Sequence, residues 1–320
     1  MKTMGNIFNL IRNNIKNRTS RIIVENLLNI PYSIIFYFIS KRLKLRINKK
    51  KYYSSICGIF KDEAPYLKEW IEYHHLVGIE HIYLYNNNSS DNFYEILRPY
   101  IEKGFITLIE WPKLHAQMEA YKHCYDNFKK DTNWLAFFDI DEFVCPKIET
   151  DINSFLKKYE GYPGILIYWQ MFGTNGLVDC DKDKLVIEQY TNSWKHLDGT
   201  GKVFISTENY LPTNIYNHWM TFRYKVFKVP VMTEHKKFIF FPQIYTAPKL
   251  NTIQLNHYWS KSLNEFLFKI KRGSAASSKN EVYRQKFSFF LAHEQRNISE
   301  NKVIYRFLIQ LKIRLNKISL

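Results

Sequence analysis

The sequence predicts an α/β domain, a mostly parallel sheet flanked by helices, and three observations carry that reading. β-like runs and amphipathic helical segments alternate from residue 54 onward, as strands joined by helical crossovers do. Residues 134–140 (WLAFFDI) form a nearly continuous apolar run, expected of a strand covered on both faces. The 320 residues are 46% hydrophobic and 24% charged, with only 11 Gly and 10 Pro, which excludes a mostly disordered, collagen-like or low-complexity chain.

The elements follow in order. Residues 54–60 (SSICGIF) read as a first strand. Asp62, Glu63 and Pro65 suit the first turn of a helix whose stripe is Leu67, Trp70, Ile71 and Val77, with Gly78 closing it. Residues 81–85 (HIYLY) read as a second strand running into a polar loop, 86–91. A helix carrying Tyr94, Ile96, Leu97 and Tyr100 ends at Gly104, and 105–109 is a third strand. A helix over 116–128 precedes the apolar strand 134–140. In open sheets of this kind ligands bind beyond the carboxyl ends of the strands. Two polar clusters fall there: the loop 86–91 and the acids after the fourth strand.

Charge divides the chain into three parts. The net charge is +16, yet residues 52–300 hold 29 basic and 29 acidic residues and balance. Residues 1–51 carry +11 and residues 301–320 carry +5. A nucleic-acid groove needs its excess on the folded body, so no nucleic-acid partner is expected. Both ends are also apolar. Residues 22–40 are broken by Glu25, Asn26, Asn29 and Pro31, so neither an ordinary membrane-spanning helix nor a cleavable signal is expected there. The tail places Ile304, Leu308, Leu311, Leu315 and Ile318 at helical spacing among basic residues. Two readings stand for these ends: basic helices lying on an anionic membrane surface, or helices packed on the body. The expected location is cytoplasmic, at the inner face of a membrane. Four cysteines, Cys57, Cys124, Cys145 and Cys180, sit far apart with no C-x-x-C, which excludes a disulfide scaffold or zinc ribbon and suits a reducing compartment.

Residues 139–143 (DIDEF) are the sharpest chemical feature. Asp139 and Asp141 are two apart in an extended segment and project the same way. Paired carboxylates favour a neighbouring cation, and hard oxygen donors favour Mg²⁺ or Mn²⁺, which take phosphate oxygens as further ligands. The competing reading is an acid pair capping a turn.

At this point a resemblance emerges. Residues 57–70 (CGIFKDEAPYLKEW) with Ile71, Glu72, Tyr73 and His74, then 85–91 (YNNNSSD), Gln117, 139–143, 172–174 (FGT) and 257–262 (HYWSKS) with Lys269, Arg272 and Gly273, resemble glycosyltransferase family 92 and related family-2-like bacterial transferases. The resemblance covers roughly residues 54–275. It implies a GT-A fold with a nucleotide-sugar site and an adjoining acceptor site. It places Asp139 near the donor ribose and metal, Asp141 on the metal and His257 as a third ligand. It further implies a UDP-sugar donor, transfer of a hexose such as galactose to a glycan or lipid-linked saccharide in surface polysaccharide or lipopolysaccharide-type synthesis, and inversion. Inversion needs a carboxylate base, for which Glu142 is the nearest candidate.

Other candidates are weighed on position. For the donor they are Lys61 as a point charge on phosphate, Asn86, Asn88 and Asp91 in the second loop, Gln117 at a helix start, and Lys202 and Lys261 as phosphate contacts. Asp62 and Glu63 are expected to cap the following helix. Trp169, Phe172 and Trp219 are candidate stacking walls for an acceptor sugar, against a background of 17% aromatic residues. Two rival functions are a metal-dependent phosphohydrolase, whose usual D-x-D-x-T/V motif fails at Phe143, and a non-enzymatic membrane or nucleic-acid binder driven by the ends.

Overall fold

The structure, a computed structural model, describes residues 14–216, 218–241, 250–273 and 287–317. The first long element is α1 (Arg18–Lys44), 27 residues whose N-terminal amides are capped by Asn17 accepting from Ser20 N at 3.1 Å. The expected alternation follows: β1 (Tyr52–Phe60), α2 (Ala64–Leu76), β2 (His81–Asn86), α3 (Phe93–Glu102), β3 (Ile106–Glu110), α4 (Gln117–Phe128) and β4 (Thr132–Phe137). Then come β5 (Glu142–Pro146), α5 (Ile152–Leu156), β6 (Gly164–Met171), α6 (Val186–Gln189), β7 (Asn192–Trp194) and β8 (Gly201–Ser206). A small sheet of β9 (Leu211–Pro212), β10 (Thr221–Tyr224) and β11 (Phe227–Pro230) precedes β12 (Ile253–His257). The chain continues through α7 (Leu263–Arg272), α8 (Phe287–Glu294), β13 (Asn297–Glu300) and α9 (Leu308–Arg314).

Eight strands form the central sheet in the order β3-β2-β1-β4-β8-β6-β12-β5. β3, β2, β1 and β4 run parallel, so their carboxyl ends share one edge. β8 lies antiparallel to β4 and β6, and β12 lies parallel to β6 and antiparallel to β5. This is the expected α/β architecture, with the parallel half of the sheet built from alternating strands and helices. Burial of β1, β2, β4 and β6 against helices explains their apolar runs.

Two local boundaries differ from the sequence reading. β4 stops at Phe137 rather than Ile140: the Phe138 amide still donates to Cys57 O at 3.0 Å, but the Asp139 amide turns to Glu142 Oε2 at 3.0 Å. The start of α2 has Pro65 in its first turn as expected, but no side chain of Glu63 caps it. The cap comes from the neighbouring loop, where Asp91 Oδ2 accepts from Ala64 N at 2.8 Å. Asp62, at φ 48°, instead accepts from Ser90 N at 2.7 Å.

The tail packs on the body. Ile304, Phe307 and Leu311 are buried, and the Phe307 ring lies 5.9 Å from that of Tyr73 on α2. Its basic side chains meet body acids and carbonyls: Arg314 with Glu72, Lys312 with Glu188, Arg306 with Pro146 O. Ile318 and residues 1–13 of the basic first segment lie outside the described residues.

α1 also departs from expectation. It is one helix straight through Pro31, and by length and composition it suffices to cross a membrane, with a mean hydropathy of 1.6 over 18 residues. Two of its polar interruptions, Glu25 and Asn29, point inward, while Asn26 is exposed. Glu25 Oε1 accepts from Phe240 N (2.9 Å) and Phe241 N (3.2 Å), and Asn29 both donates to and accepts from the backbone of Phe238. At the other end Gly161, at φ +85°, lets the chain approach so closely that an added Cβ would sit 2.3 Å from Ser40 O.

Candidate active site

The acids after β4 sit where parallel strands deliver ligands. Ile140 is buried and anchors the turn, so Asp139 and Asp141 flank it. The ladder between β5 and β12 places His257 opposite Glu142, and Tyr258 N donates to Asp141 O at 2.9 Å. That register brings His257 Nε2 to 3.4 Å from Asp141 Oδ1. Lys269, one turn from the end of α7, ion-pairs with Asp141 Oδ2. Burial pushes the Asp141 carboxyl up, but Lys269 and His257 outweigh it and hold it well below the ordinary carboxylate range. Burial pushes the His257 imidazole down, against the pull of Asp141, which favours the neutral ring.

Asp139 is gripped differently. Lys202 Nζ, wholly buried on β8, donates to its Oδ2 at 2.9 Å, and Gln117 Nε2 (3.0 Å) and Tyr121 OH (3.1 Å) donate to its Oδ1. Burial raises the Asp139 carboxyl, and Lys202 outweighs burial, leaving it below its usual value. Lys202 also lies 3.5 Å from Glu142 Oε2. Glu142 is fully buried: Oε1 accepts from Trp169 Nε1 at 2.8 Å and Oε2 from Asp139 N. Burial raises its pKa well above the ordinary value. Its Oε2 holds the acidic turn, and its Oε1 ties Glu142 to Trp169 on β6.

Beside Asp141 lies a small cleft lined by Asp62, Glu63, Tyr66, Lys261, Lys269 and Arg272, among others. Lys261, at φ 52°, sits 3.1 Å over the Tyr66 ring and 3.5 Å from Glu63 Oε2. Arg272 pairs with Glu63 at 2.7 Å and donates to Lys61 O at 2.7 Å. All three cations follow β12, where the cap of Ser262 starts α7 and its basic residues fall in the last turn.

The other sequence candidates are dispersed. Lys61 contributes its carbonyl to Arg272. Asn86 is a turn former, donating to Glu110 Oε2 at 2.8 Å and accepting from Ser89 N at 2.9 Å. Asn88 is exposed at φ 57°, and Asp91 caps α2. Of the aromatic candidates, Trp169 packs 4.6 Å from His257 and 4.7 Å from His218, Phe172 is wholly buried against Tyr258, and Trp219 is half-buried. Sequence reasoning gave no role to Tyr121 or Lys269. Tyr121 lies one turn after Gln117, and that i,i+4 spacing was the available signal; nothing local pairs Lys269 with Asp141.

Asp141 and His257 offer oxygen and imidazole donors side by side, a set suited to Mn²⁺. Asp141 Oδ1 and His257 Nδ1 have no hydrogen-bond partner among the described residues. No group of three His, Cys, Asp or Glu side chains converges as a ligand cluster among those residues, and Asp139 is paired with Lys202.

The chain is 26% identical over 210 residues to a family 92 protein of Arabidopsis thaliana, covering 64% of this chain and 31% of that protein. It is 31% identical over 160 residues to a family 92 protein of Ricinus communis (46% and 28%) and 29% identical over 126 residues to the galactan beta-1,4-galactosyltransferase GALS3 of Arabidopsis thaliana (35% and 25%). The chain thus spans under a third of the length of each of these relatives. Among solved structures it is similar to S. aureus TarS 1-349, at 12% identity over 48% of this chain and 47% of that one with a TM-score of 0.34. The profile of glycosyltransferase family 92 matches residues 50–239, more than half of the sequence, and the chain belongs to that family.

Proposed function

We propose that this protein is a glycosyltransferase that moves a hexose from a nucleoside diphosphate sugar to a saccharide hydroxyl. The observation that carries this reading is the gathering of Lys261, Lys269 and Arg272 in one cleft against Asp141, beyond the carboxyl end of β4. An arriving diphosphate competes with Glu63 and Asp141 for those cations and gains charge-assisted contacts as its charge develops in the transition state. UDP is the first donor nucleotide to test, and galactose the first sugar, in keeping with the galactosyltransferase relative. A lipid-linked or surface saccharide is the proposed acceptor, and inversion the proposed outcome.

A divalent cation, Mn²⁺ before Mg²⁺, is proposed on Asp141 and His257, with Asp139 held alongside by Lys202. When bound, it neutralises charge on the leaving diphosphate. Lys202, Gln117 and Tyr121 fix the Asp139 carboxylate, and Glu142 fixes the backbone turn between the acids.

The test is a panel of nucleotide sugars, assayed for hydrolysis and transfer with and without Mn²⁺, in wild type and Asp141→Ala. Mn²⁺-stimulated turnover that Asp141→Ala abolishes, with the fold retained by circular dichroism, is expected. Undiminished turnover in the variant removes the metal from the proposal, and no turnover of any nucleotide sugar removes the reading as a whole.

A further inference from the structure

α1 reverses the usual amphipathic order. Its inward face carries polar residues, Glu25, Asn29 and Ser40, among Phe36 and Leu43. Its outward face carries Ile23, Leu27, Ile30, Ile34 and Phe38, each more than half exposed. At about 100° per residue these five lie on one stripe opposite Glu25. Adjacent to α1, through Tyr32 OH donating to Lys228 O at 3.4 Å, the β10–β11 hairpin exposes Val226 and Phe227. Water is a poor environment for such a stripe.

Charge identifies the partner. Exposed Arg18 precedes the stripe, and exposed Lys41, Arg42, Lys44 and Arg46 follow it. Cations at both ends of an apolar stripe complement an anionic lipid surface, where the apolar face enters the acyl boundary and the basic ends meet headgroups.

The same contacts decide how the helix lies. A spanning helix places its ends on opposite sides, and short cytoplasmic flanks hold the excess of Lys and Arg. Here both ends are basic. The helix is also tied to the body from Glu25, through Asn29 and Tyr32, to Lys44, which donates to Lys157 O at 3.5 Å. Those contacts run over about 30 Å of helix, comparable to the hydrocarbon thickness of a bilayer. Crossing would carry the Phe238–Phe241 backbone and β11 into lipid with it.

We propose that α1 is an in-plane docking helix that lays its Ile23–Phe38 stripe into one leaflet of an anionic membrane without crossing it. This rests on α1 alone and stands apart from the chemistry proposed above.

The test uses the full chain and vesicles of phosphatidylcholine with and without phosphatidylglycerol. Wild type floats with the anionic vesicles and less so in high salt. A Leu27→Ser, Ile30→Ser, Ile34→Ser, Phe38→Ser variant alters only exposed positions, keeps its unfolding temperature and loses at least about a hundredfold in vesicle affinity. A Ser20→Cys variant in a Cys180→Ser background, bound to preformed vesicles, reacts with a membrane-impermeant maleimide added outside, the partly exposed Cys180 being removed so that residue 20 is read. Flotation of the fourfold variant like wild type overturns the proposal, and so does protection of Ser20→Cys, which signals crossing. Wild type that ignores vesicles but forms dimers lost in the fourfold variant assigns the stripe to a second copy and overturns it as well.

Discussion

The buried ammonium of Lys202 donates to the Asp139 carboxylate at 2.9 Å and lies 3.5 Å from Glu142, so one cation from β8 binds both acids at the ends of the DIDE turn. Without it, the buried Glu142 and the partly exposed Asp139 would lose the cation they share. The acidic turn is therefore a built ion cluster, with Asp141 left to face Lys269, His257 and the cleft.

Lys202→Met tests that cluster. Removing one partner of a buried pair costs about 3–5 kcal/mol, because the remaining charges stay desolvated. The expected result is a markedly lower unfolding temperature together with lost transfer activity. An unfolding temperature equal to wild type would show that Asp139 and Glu142 do not depend on this cation.

His257→Ala separates a ligand from a packing residue. Its proposed role predicts a rise of at least about tenfold in the Mn²⁺ concentration giving half-maximal turnover. The titration of turnover against Mn²⁺ measures it, and an unchanged midpoint leaves His257 as a neighbour of Trp169 only.

Arg272→Ala and Lys261→Ala address the cleft. Each removes a charge-assisted contact to phosphate, so the KM for the nucleotide sugar should rise about tenfold or more. Steady-state kinetics with the acceptor saturating gives the value. A KM at the wild-type level in both variants would place the diphosphate elsewhere.

His74 makes a pH prediction. It is fully buried on α2, with Nδ1 2.8 Å from Trp70 O, and burial pushes its pKa down to about 3 from 6.5. The unfolded chain binds this proton below about pH 6.5, and the folded chain binds it only near pH 3. The site's stability is therefore complete above pH 6.5 and is lost as pH falls toward 3, by about 1.4 kcal/mol per unit. His74→Phe should flatten the acid side of the stability curve relative to wild type. Parallel denaturant titrations between pH 7 and 4 check this, and parallel curves for the two proteins would refute it.

The alternation of strands and helices was legible because period and turn residues are local: the apolar run before Asp139, Pro65 at the start of α2, and Gly78 and Gly104 at positive φ after their helices. The acids were legible as a cluster because they are neighbours in sequence, but β4 ends at Phe137, so the extended spacing expected of Asp139 and Asp141 gives way to a turn in which each carboxylate has its own partners. Of the partners of that turn, His257, Gln117 and Lys202 are site candidates from the sequence, but neither their pairing with particular acids nor any role for Lys269 was legible there. Lys269 stands 128 residues from Asp141, and His257 reaches it only because β12 pairs with β5 in one register. Asp91 capping α2 from the next loop belongs to the same class.

α1 shows the division most plainly. Composition established that residues 18–46 are greasy and basic, but Glu25 and Asn29 read as breaks in an apolar stretch. Only the folded body, by offering the amides of Phe238, Phe240 and Phe241, gives those side chains hydrogen bonds and turns the apolar side outward. Local sequence fixes what each segment prefers to become. Which polar groups are satisfied, and so which face is left to the surroundings, is set by long-range packing, because buried hydrogen-bond partners come from parts of the chain far apart in sequence.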